Sequence, residues 1–207
     1  MIVIIDYGMG NLRSVQKALE RVGFAARVSG DPAVVASADR LVLPGVGAFK
    51  DCMRNLVEGG FVEPIRRHIE AGRPFLGICL GLQLLFTESE EFGRHQGLGV
   101  LPGRVVRFPQ GMRAEGAALK VPHMGWNRLR FRSRPAIFNG IEEGAFVYFV
   151  HSYHVVPEDP EIVATTTDYG ITFCSSICQG NIAACQFHPE KSQQVGLQIL
   201  KNFGAMP

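Results

Sequence analysis

The chain of 207 residues is long enough for one well-packed α/β domain and marginal for two. Its formal net charge of +2, with no basic cluster interleaved with aromatic residues, argues against nucleic-acid binding, and no apolar run is long enough to cross a bilayer. The five cysteines include no Cys-x-x-Cys pair of metal-ligand spacing. We therefore expect a single domain over residues 1–207 in the cytoplasm, with no metal, no cofactor, and no nucleic-acid or membrane partner.

The first part of the chain alternates apolar strand patterns with helical patterns. Strands are predicted at residues 2–6, 24–28, 39–43 and 75–78, and helices at about residues 12–22, 50–57 and 61–71. Asn11 is a candidate N-cap of the first helix. This alternation predicts an α/β fold with a mostly parallel central sheet flanked by helices, in which the chemistry lies beyond the carboxyl ends of the strands.

From Gly97 onward the chain favours short β segments. They are predicted at residues 104–108, 127–131, 146–150, 162–167, 172–177 and 181–186. The triplets Asp168-Tyr169-Gly170 and Gln179-Gly180-Asn181 read as hairpin turns between the last three, and a final helix is predicted over residues 193–203. We expect these segments to form a mixed or antiparallel extension of the same sheet. Residues 109–120 match no useful motif.

The segment Gly77-Ile78-Cys79-Leu80-Gly81 combines the end of a strand with the start of a helical pattern that continues to Phe86. A nucleophile elbow has this arrangement: the reactive residue sits on a strained strand-to-helix turn, and its neighbours must be small. The thiol at position 79 would lie at a helix N-terminus, where partial positive charge favours the thiolate. A buried structural cysteine beside two turn glycines is the alternative, and the whole constellation favours the nucleophile.

A working cysteine needs a base and a group that orients the base. Of the six histidines, His68 lies in a basic helix segment and His95 in a polar loop, and both are expected to be solvated. His188 opens His188-Pro189-Glu190 at the end of an apolar strand, where alternating side chains would place residues 188 and 190 on one side. Glu190 could then orient the imidazole as the acid of a Ser-His-Asp triad does.

Two further features are compatible with this site. Gln83 lies one helical turn after Cys79 and could reach a substrate, although a solvent-facing polar residue would look the same. In Pro44-Gly45-Val46-Gly47 the two glycines let backbone amides turn outward toward developing negative charge, although a merely flexible loop would have the same composition.

The elbow together with His188-Pro189-Glu190 resembles the class I, triad-type glutamine amidotransferase family. Within that class the chain resembles the glutaminase subunits of imidazole glycerol phosphate synthases, and the resemblance spans essentially all of it. The segments that carry it are Asp6-Tyr7-Gly8-Met9-Gly10-Asn11, Pro44-Gly45-Val46-Gly47-Ala48-Phe49, Pro122-His123-Met124-Gly125-Trp126-Asn127, His151-Ser152-Tyr153 and His188-Pro189-Glu190-Lys191-Ser192.

The resemblance implies a role for each matching position. It implies a catalytic triad of Cys79, His188 and Glu190 that hydrolyses glutamine to glutamate and ammonia through a thioester. It also implies an oxyanion hole made by the backbone N–H groups of Val46 and Leu80. The glutamine pocket would be lined by Gly47, Gln83, His151, Ser152 and Tyr153. The interface with a partner would include Asn11, Trp126 and Lys191.

The resemblance further implies a separate partner subunit, a (β/α)8-barrel cyclase that forms a heterodimer with this chain and receives the ammonia. A barrel of that kind takes about 250 residues, so this chain has no room for one. The products of the complex would be imidazole glycerol phosphate and aminoimidazole carboxamide ribotide, in histidine biosynthesis. Alternatives are another class I amidotransferase, a cysteine peptidase-like hydrolase, or a binding module with a redox-sensing cysteine.

Overall fold

In the computed structural model of the protein, which describes residues 1–114 and 116–207, strands alternate with helices through the first 84 residues, and two helices in succession separate the third strand from the fourth. The helices are α1 (Leu12–Arg21), α2 (Pro32–Ala36), α3 (Phe49–Glu58), α4 (Val62–Glu70), α5 (Leu80–Leu84) and α6 (Gln193–Gly204). The strands are β1 (Ile2–Ile5), β2 (Ala26–Ser29), β3 (Arg40–Gly45), β4 (Phe75–Cys79), β5 (Phe86–Ser89), β6 (His95–Gln96), β7 (Leu101–Arg107), β8 (Arg113–Ala114), β9 (Ala117–Ala118), β10 (His123–Arg128), β11 (Arg130–Phe131), β12 (Phe146–His151), β13 (Tyr153–Pro157), β14 (Val163–Tyr169), β15 (Ile171–Gln179) and β16 (Ile182–Cys185).

The main sheet has the strand order β11-β14-β15-β16-β4-β3-β1-β2. Strands β16, β4, β3, β1 and β2 run parallel to one another, and β11, β14 and β15 extend the sheet in antiparallel pairs. The predicted hairpins after β14 and β15 are therefore both present. The α/β fold with a mixed, mostly parallel central sheet and flanking helices is confirmed.

The central strands are buried on both faces because helices cover both sides of the sheet. Alternate side chains of β1 enter different hydrophobic clusters, with Val3 and Ile5 on one face and Ile2 and Ile4 on the other. All five residues of β4 are buried as well. The elbow that follows β4 is therefore anchored in the middle of the molecule. None of the described helices is long and apolar enough to span a membrane.

The second half differs from the expected single extended sheet. Strands β13, β7, β5 and β6 form a separate four-stranded sheet, and β10 pairs with β12 in an antiparallel ribbon. The elbow helix also ends at Leu84, and Phe86 begins β5 instead of continuing the helix. A short apolar run such as Leu82–Phe86 fits a buried strand as well as a buried helix, so periodicity alone could not separate them. Helix α2 was not predicted.

Candidate active site

Cys79 lies at the sharp turn between β4 and α5, as the elbow pattern predicted. Its φ is 56° and its ψ −110°, a region that non-glycine residues rarely adopt. A Cβ atom at Gly81 would lie 1.9 Å from the backbone oxygen of Leu43, and one at Gly77 would lie 2.8 Å from the oxygen of Gly81. Only glycine therefore fits on either side of the strained cysteine. Because α5 has only five residues, its dipole supports a thiolate less than a full-length helix would.

His188 and Glu190 form the expected pair, by a different local geometry. The Nδ1 of His188 lies 2.8 Å from Oε1 of Glu190, and both side chains are almost fully buried. Residues Pro189–Lys191 form a turn of 3-10 helix, so the strand alternation assumed from the sequence is wrong. The proline occupies the first position of this turn, where its fixed φ is favourable, and the turn brings the carboxylate back beside the imidazole.

The charge state of His188 depends on its neighbours. Burial by itself lowers the pKa of an imidazole, but hydrogen bonding and negative charge from Cys79 and Glu190 outweigh burial and raise the pKa of His188 to about 10. Its Nδ1–H donates to Glu190. Its buried Nε2 makes no hydrogen bond among the described residues. At neutral pH the site therefore favours an imidazolium that can stabilise negative charge on the cysteine sulfur.

A cavity of about 320 Å3 opens over Cys79. The cavity is lined by most of the residues to which the sequence assigned a role in catalysis or glutamine binding. They are Val46, Gly47, Cys79, Leu80, Gln83, His151, Ser152, Tyr153 and His188. Glu190 lies outside the lining because it is buried behind His188. Residues from the turn after β3, from β4, α5, β12 and β13, and from the segment after β16 therefore meet at one place, which sequence spacing alone did not establish.

Two side chains outside the cavity lining hold the Val46 turn. The Tyr7 hydroxyl donates to the carbonyl of Pro44 at 2.8 Å, and the Cys52 thiol donates to the carbonyl of Val46 at 3.4 Å. Val46 itself is 38% exposed, and the φ of Gly47 is +90°, a conformation that favours glycine. The Val46 turn thus borders the cavity while two side chains hold its carbonyl groups.

Sequence reasoning missed Glu91, Pro122, Val150 and Gln186 at this site. The first three line the cavity, and Glu91 Oε2 accepts a hydrogen bond of 2.6 Å from the backbone N–H of Phe49. Gln186 is fully buried, and its Nε2 lies 3.8 Å from the sulfur of Cys79. A polar residue after an apolar strand carries no signal of its own, so no pattern would have identified Gln186.

His151, which lines the cavity, is hydrogen-bonded to a second neutral histidine, His123. His151 Nδ1 donates to the carbonyl of Tyr153 at 2.8 Å, so its Nε2 accepts from Nδ1 of His123 at 3.1 Å. His123 Nε2 in turn accepts from the Asn127 amide at 3.3 Å. Burial lowers the pKa of His123 to about 4 and that of His151 to about 3. His123 and His151 therefore carry no positive charge at neutral pH.

The three predicted interface residues lie outside the cavity. Trp126 is 45% exposed and packs edge-on against Tyr148 at a ring separation of 6.0 Å. Lys191 Nζ also lies 6.0 Å from the Tyr148 ring, so these two residues share one surface. Asn11 occupies the N-cap position of α1 but makes no side-chain capping hydrogen bond, and α1 packs against the turn that holds Lys191.

The expectation that both His68 and His95 are solvated is wrong for His68. His68 is 2% exposed, its Nε2 lies 3.0 Å from the Pro74 carbonyl, and burial lowers its pKa. It faces the sheet because α4 turns this position inward, although Arg66 and Arg67 precede it. His95 is half-buried in β6. Neither lines the cavity.

The other cysteines are poor nucleophiles. Burial raises the pKa of Cys52 to about 11 and that of Cys174 and Cys178 to about 12, and it also raises the pKa of Cys185. All five cysteines are free thiols. Among the described residues no group of three or more His, Cys, Asp or Glu side chains is placed to hold a metal ion. Of the five cysteines, Cys79 is therefore the candidate nucleophile.

Known proteins resemble this chain over nearly all of its length. The model of the glutamine amidotransferase class-I family matches residues 3–206. The protein from Syntrophotalea carbinolica named imidazole glycerol phosphate synthase subunit HisH is 70% identical over 206 residues, covering 100% of both chains. The HisH subunit from Geobacter sulfurreducens is 65% identical over 99% of this chain and 98% of its own length.

Solved structures share the fold at low identity. A crystal structure described as a glutamine amidotransferase superimposes with a TM-score of 0.72 at 22% identity, covering 99% of this chain and 100% of the other. A chain of the PurLQS complex from Thermotoga maritima gives the same TM-score at 18% identity over 98% and 96% of the two chains. These two structures support the architecture alone.

Proposed function

Because this chain belongs to the glutamine amidotransferase class-I family, we propose that it hydrolyses glutamine to glutamate and ammonia as the glutaminase subunit of an imidazole glycerol phosphate synthase. The observation that carries the proposal is the buried His188–Glu190 pair at the wall of a cavity whose floor is a strained cysteine. The identity of 65–70% to HisH subunits over their full length favours this enzyme over other class I amidotransferases and over a peptidase.

The reaction begins with attack of the Cys79 sulfur on the amide carbon of the glutamine side chain. His188 carries the proton in the resting pair and gives it to the leaving nitrogen, so ammonia departs and a γ-glutamyl thioester remains on Cys79. His188 then takes a proton from a water molecule, which attacks the thioester and releases glutamate. Glu190 keeps Nδ1 protonated throughout, so Nε2 is the nitrogen that exchanges the proton.

The negative oxygen of each tetrahedral intermediate needs N–H donors. Leu80 is the first residue of α5, so its N–H has no partner within the helix and is available to the cavity. The backbone N–H of Val46, which also lines the cavity, is the second proposed donor. The carboxylate of Glu91 lines the same cavity and is placed to pair with the α-ammonium group of glutamine.

We propose that the ammonia is used by a second subunit. The relatives named above are each called a subunit, and we propose that this chain forms a heterodimer with a (β/α)8-barrel cyclase that makes imidazole glycerol phosphate and aminoimidazole carboxamide ribotide. The exposed surface around Tyr148, which includes Trp126 and Lys191, and the N-terminus of α1 at Asn11 are the proposed contacts. Free thiols are typical of the cytoplasm, which is the proposed location.

Release of glutamate and ammonia from glutamine tests the proposal directly, with the chain co-purified with the cyclase subunit encoded in the same genome. We expect Cys79→Ala to abolish glutamine hydrolysis, while the same complex still makes both products from added ammonium. Cys178→Ala, which changes a thiol outside the cavity, is the matched control and should keep glutaminase activity. Unchanged glutamine hydrolysis by Cys79→Ala, or cleavage of peptides in preference to glutamine, would contradict the proposal.

A further inference from the structure

Gln186 is a buried polar residue that the triad does not account for. It is fully buried, it follows β16, and its side chain lies between two residues of the cavity. Its Oε1 lies 3.0 Å from Nε2 of Gln83, and its Nε2 lies 3.8 Å from the sulfur of Cys79. A fully buried amide is costly unless its polar atoms have partners, so both ends of this side chain are held.

The direction of the Gln186 amide follows from a backbone carbonyl. The oxygen of Tyr153 can only accept, and Gln83 Nε2 lies 3.1 Å from it, which identifies that atom of Gln83 as the NH2 group. The same NH2 group lies against Gln186, which must therefore present its oxygen to Gln83. The NH2 group of Gln186 is left facing the cysteine sulfur. The opposite orientation would place two NH2 groups against each other.

The Tyr153 carbonyl is itself fixed. It accepts a second hydrogen bond of 2.8 Å from Nδ1 of His151, and burial lowers the pKa of His151 to about 3, so His151 remains a neutral donor. One backbone oxygen thus sets the direction of an uncharged chain of hydrogen bonds from Gln83 through Gln186 to Cys79. The two glutamine amides do not ionise, so their direction is the same at every pH near neutrality.

We propose that Gln186 is a further catalytic residue, whose N–H donates to the Cys79 sulfur and stabilises its negative charge. The contact stabilises the sulfur before attack and again when the sulfur leaves the second tetrahedral intermediate. Gln186 transfers no proton and forms no bond, so the balance of the reaction is unchanged. His188 supplies a positive charge at the sulfur, and Gln186 supplies a neutral donor from a different segment of the chain. The inference rests on Cys79 being the nucleophile of the proposed glutaminase.

The test measures sulfur reactivity without glutamine. The full chain is alkylated with iodoacetamide over a range of pH, and the modified Cys79 peptide is quantified by mass spectrometry. We expect Gln186→Met, which keeps the length but lacks the N–H, to react about tenfold more slowly near pH 6, with a smaller difference at alkaline pH, where thiols in general ionise. Gln198→Met is the matched control, because its amide bonds Asn202 on α6, away from the cavity. Its alkylation profile should equal that of the unmodified chain.

Equal alkylation profiles for Gln186→Met and the unmodified chain, with both folded, would overturn the proposal even if the chain hydrolyses glutamine. Conversely, a slowed Gln186→Met in a chain without glutaminase activity would uphold the contact and refute the proposed function. If Gln186→Met does not fold, the side-chain amide resonance of Gln186 is followed in 15N-labelled unmodified protein. Capping Cys79 as a methyl disulfide should shift that resonance, and an unmoved resonance would overturn the proposal.

Discussion

The substitution Glu190→Gln isolates the negative charge of the triad, because the two side chains have nearly the same shape. An amide oxygen can still accept from Nδ1 of His188 at the observed 2.8 Å, so the orientation of the imidazole is retained. What is lost is the charge next to a buried imidazolium. The experiment therefore separates the electrostatic contribution of Glu190 from its positioning contribution.

The size of the effect follows from the charge state of His188. Its pKa rises from 6.5 to about 10, which corresponds to roughly 5 kcal/mol of stabilisation of the imidazolium. Burial opposes this stabilisation, so Cys79 and Glu190 together contribute at least that much. If the two contribute equally, the neutral variant loses roughly 2–3 kcal/mol, and the pKa of His188 falls by about two units. A comparable loss in the transition state would reduce kcat/KM by about a hundredfold.

Two measurements check this reasoning on the Glu190→Gln variant. The titration of His188 is followed by NMR through its ring C–H resonance, and kcat/KM for glutamine is measured in the complex. Glu63→Gln is the matched control, because Glu63 is exposed and pairs with Arg67 on α4. A His188 pKa that stays near about 10, or a loss in kcat/KM below about threefold, would refute the electrostatic role of Glu190.

Three further predictions concern stability. His123 and His151 accept protons at lower pH when folded than when unfolded, so the free energy of unfolding should fall by several kcal/mol as the pH drops from about 6.5 toward 3. Urea unfolding between about pH 6.5 and 5, above the range in which carboxylates titrate, measures where this fall begins. A free energy of unfolding that stays constant over that range would contradict the prediction. Because Cys79 has a φ of 56°, Cys79→Gly should be more stable than Cys79→Ala by about 1–2 kcal/mol, and equal melting temperatures would argue against strain at the elbow. Gly81→Ala places a methyl group 1.9 Å from the oxygen of Leu43, so chemical denaturation should show that the free energy of unfolding falls by about 1–3 kcal/mol or more. A variant as stable as the unmodified chain would contradict this close packing.

The contribution of His188 to the free energy of unfolding changes with pH in the opposite direction to that of His123 and His151. Its folded pKa lies above the unfolded value, so its contribution is fully present below about pH 6.5 and is lost as the pH rises toward about 10. Together with the neutral histidines this places the stability maximum near neutral pH. A Cys79→Ala chain lacks the sulfur that helps to raise the pKa of His188, so its loss of stability above about pH 6.5 should be smaller and should be complete at a lower pH, as measured by urea unfolding.

The local features of the site could be predicted because they depend on neighbours in the chain. The glycines at 77 and 81 are required by the strained turn at Cys79, and their spacing is visible in the sequence. His188 and Glu190 are two residues apart, so their pairing needed only the turn that Pro189 starts. The alternation of strand and helix patterns likewise predicted the parallel part of the sheet, because helices must cover both of its faces.

Other features were decided by contacts between distant segments. Gln186 is separated from Cys79 by 107 residues and from Gln83 by 103, and periodicity indicates burial but not the identity of the buried partner. The burial of His68, among basic neighbours, likewise depends on how α4 is rotated against the sheet. The sequence thus identified the proposed nucleophile, its proposed base and the carboxylate behind that base. Only the tertiary structure decided which polar groups surround the sulfur, because three-dimensional packing brings those groups together from separate elements.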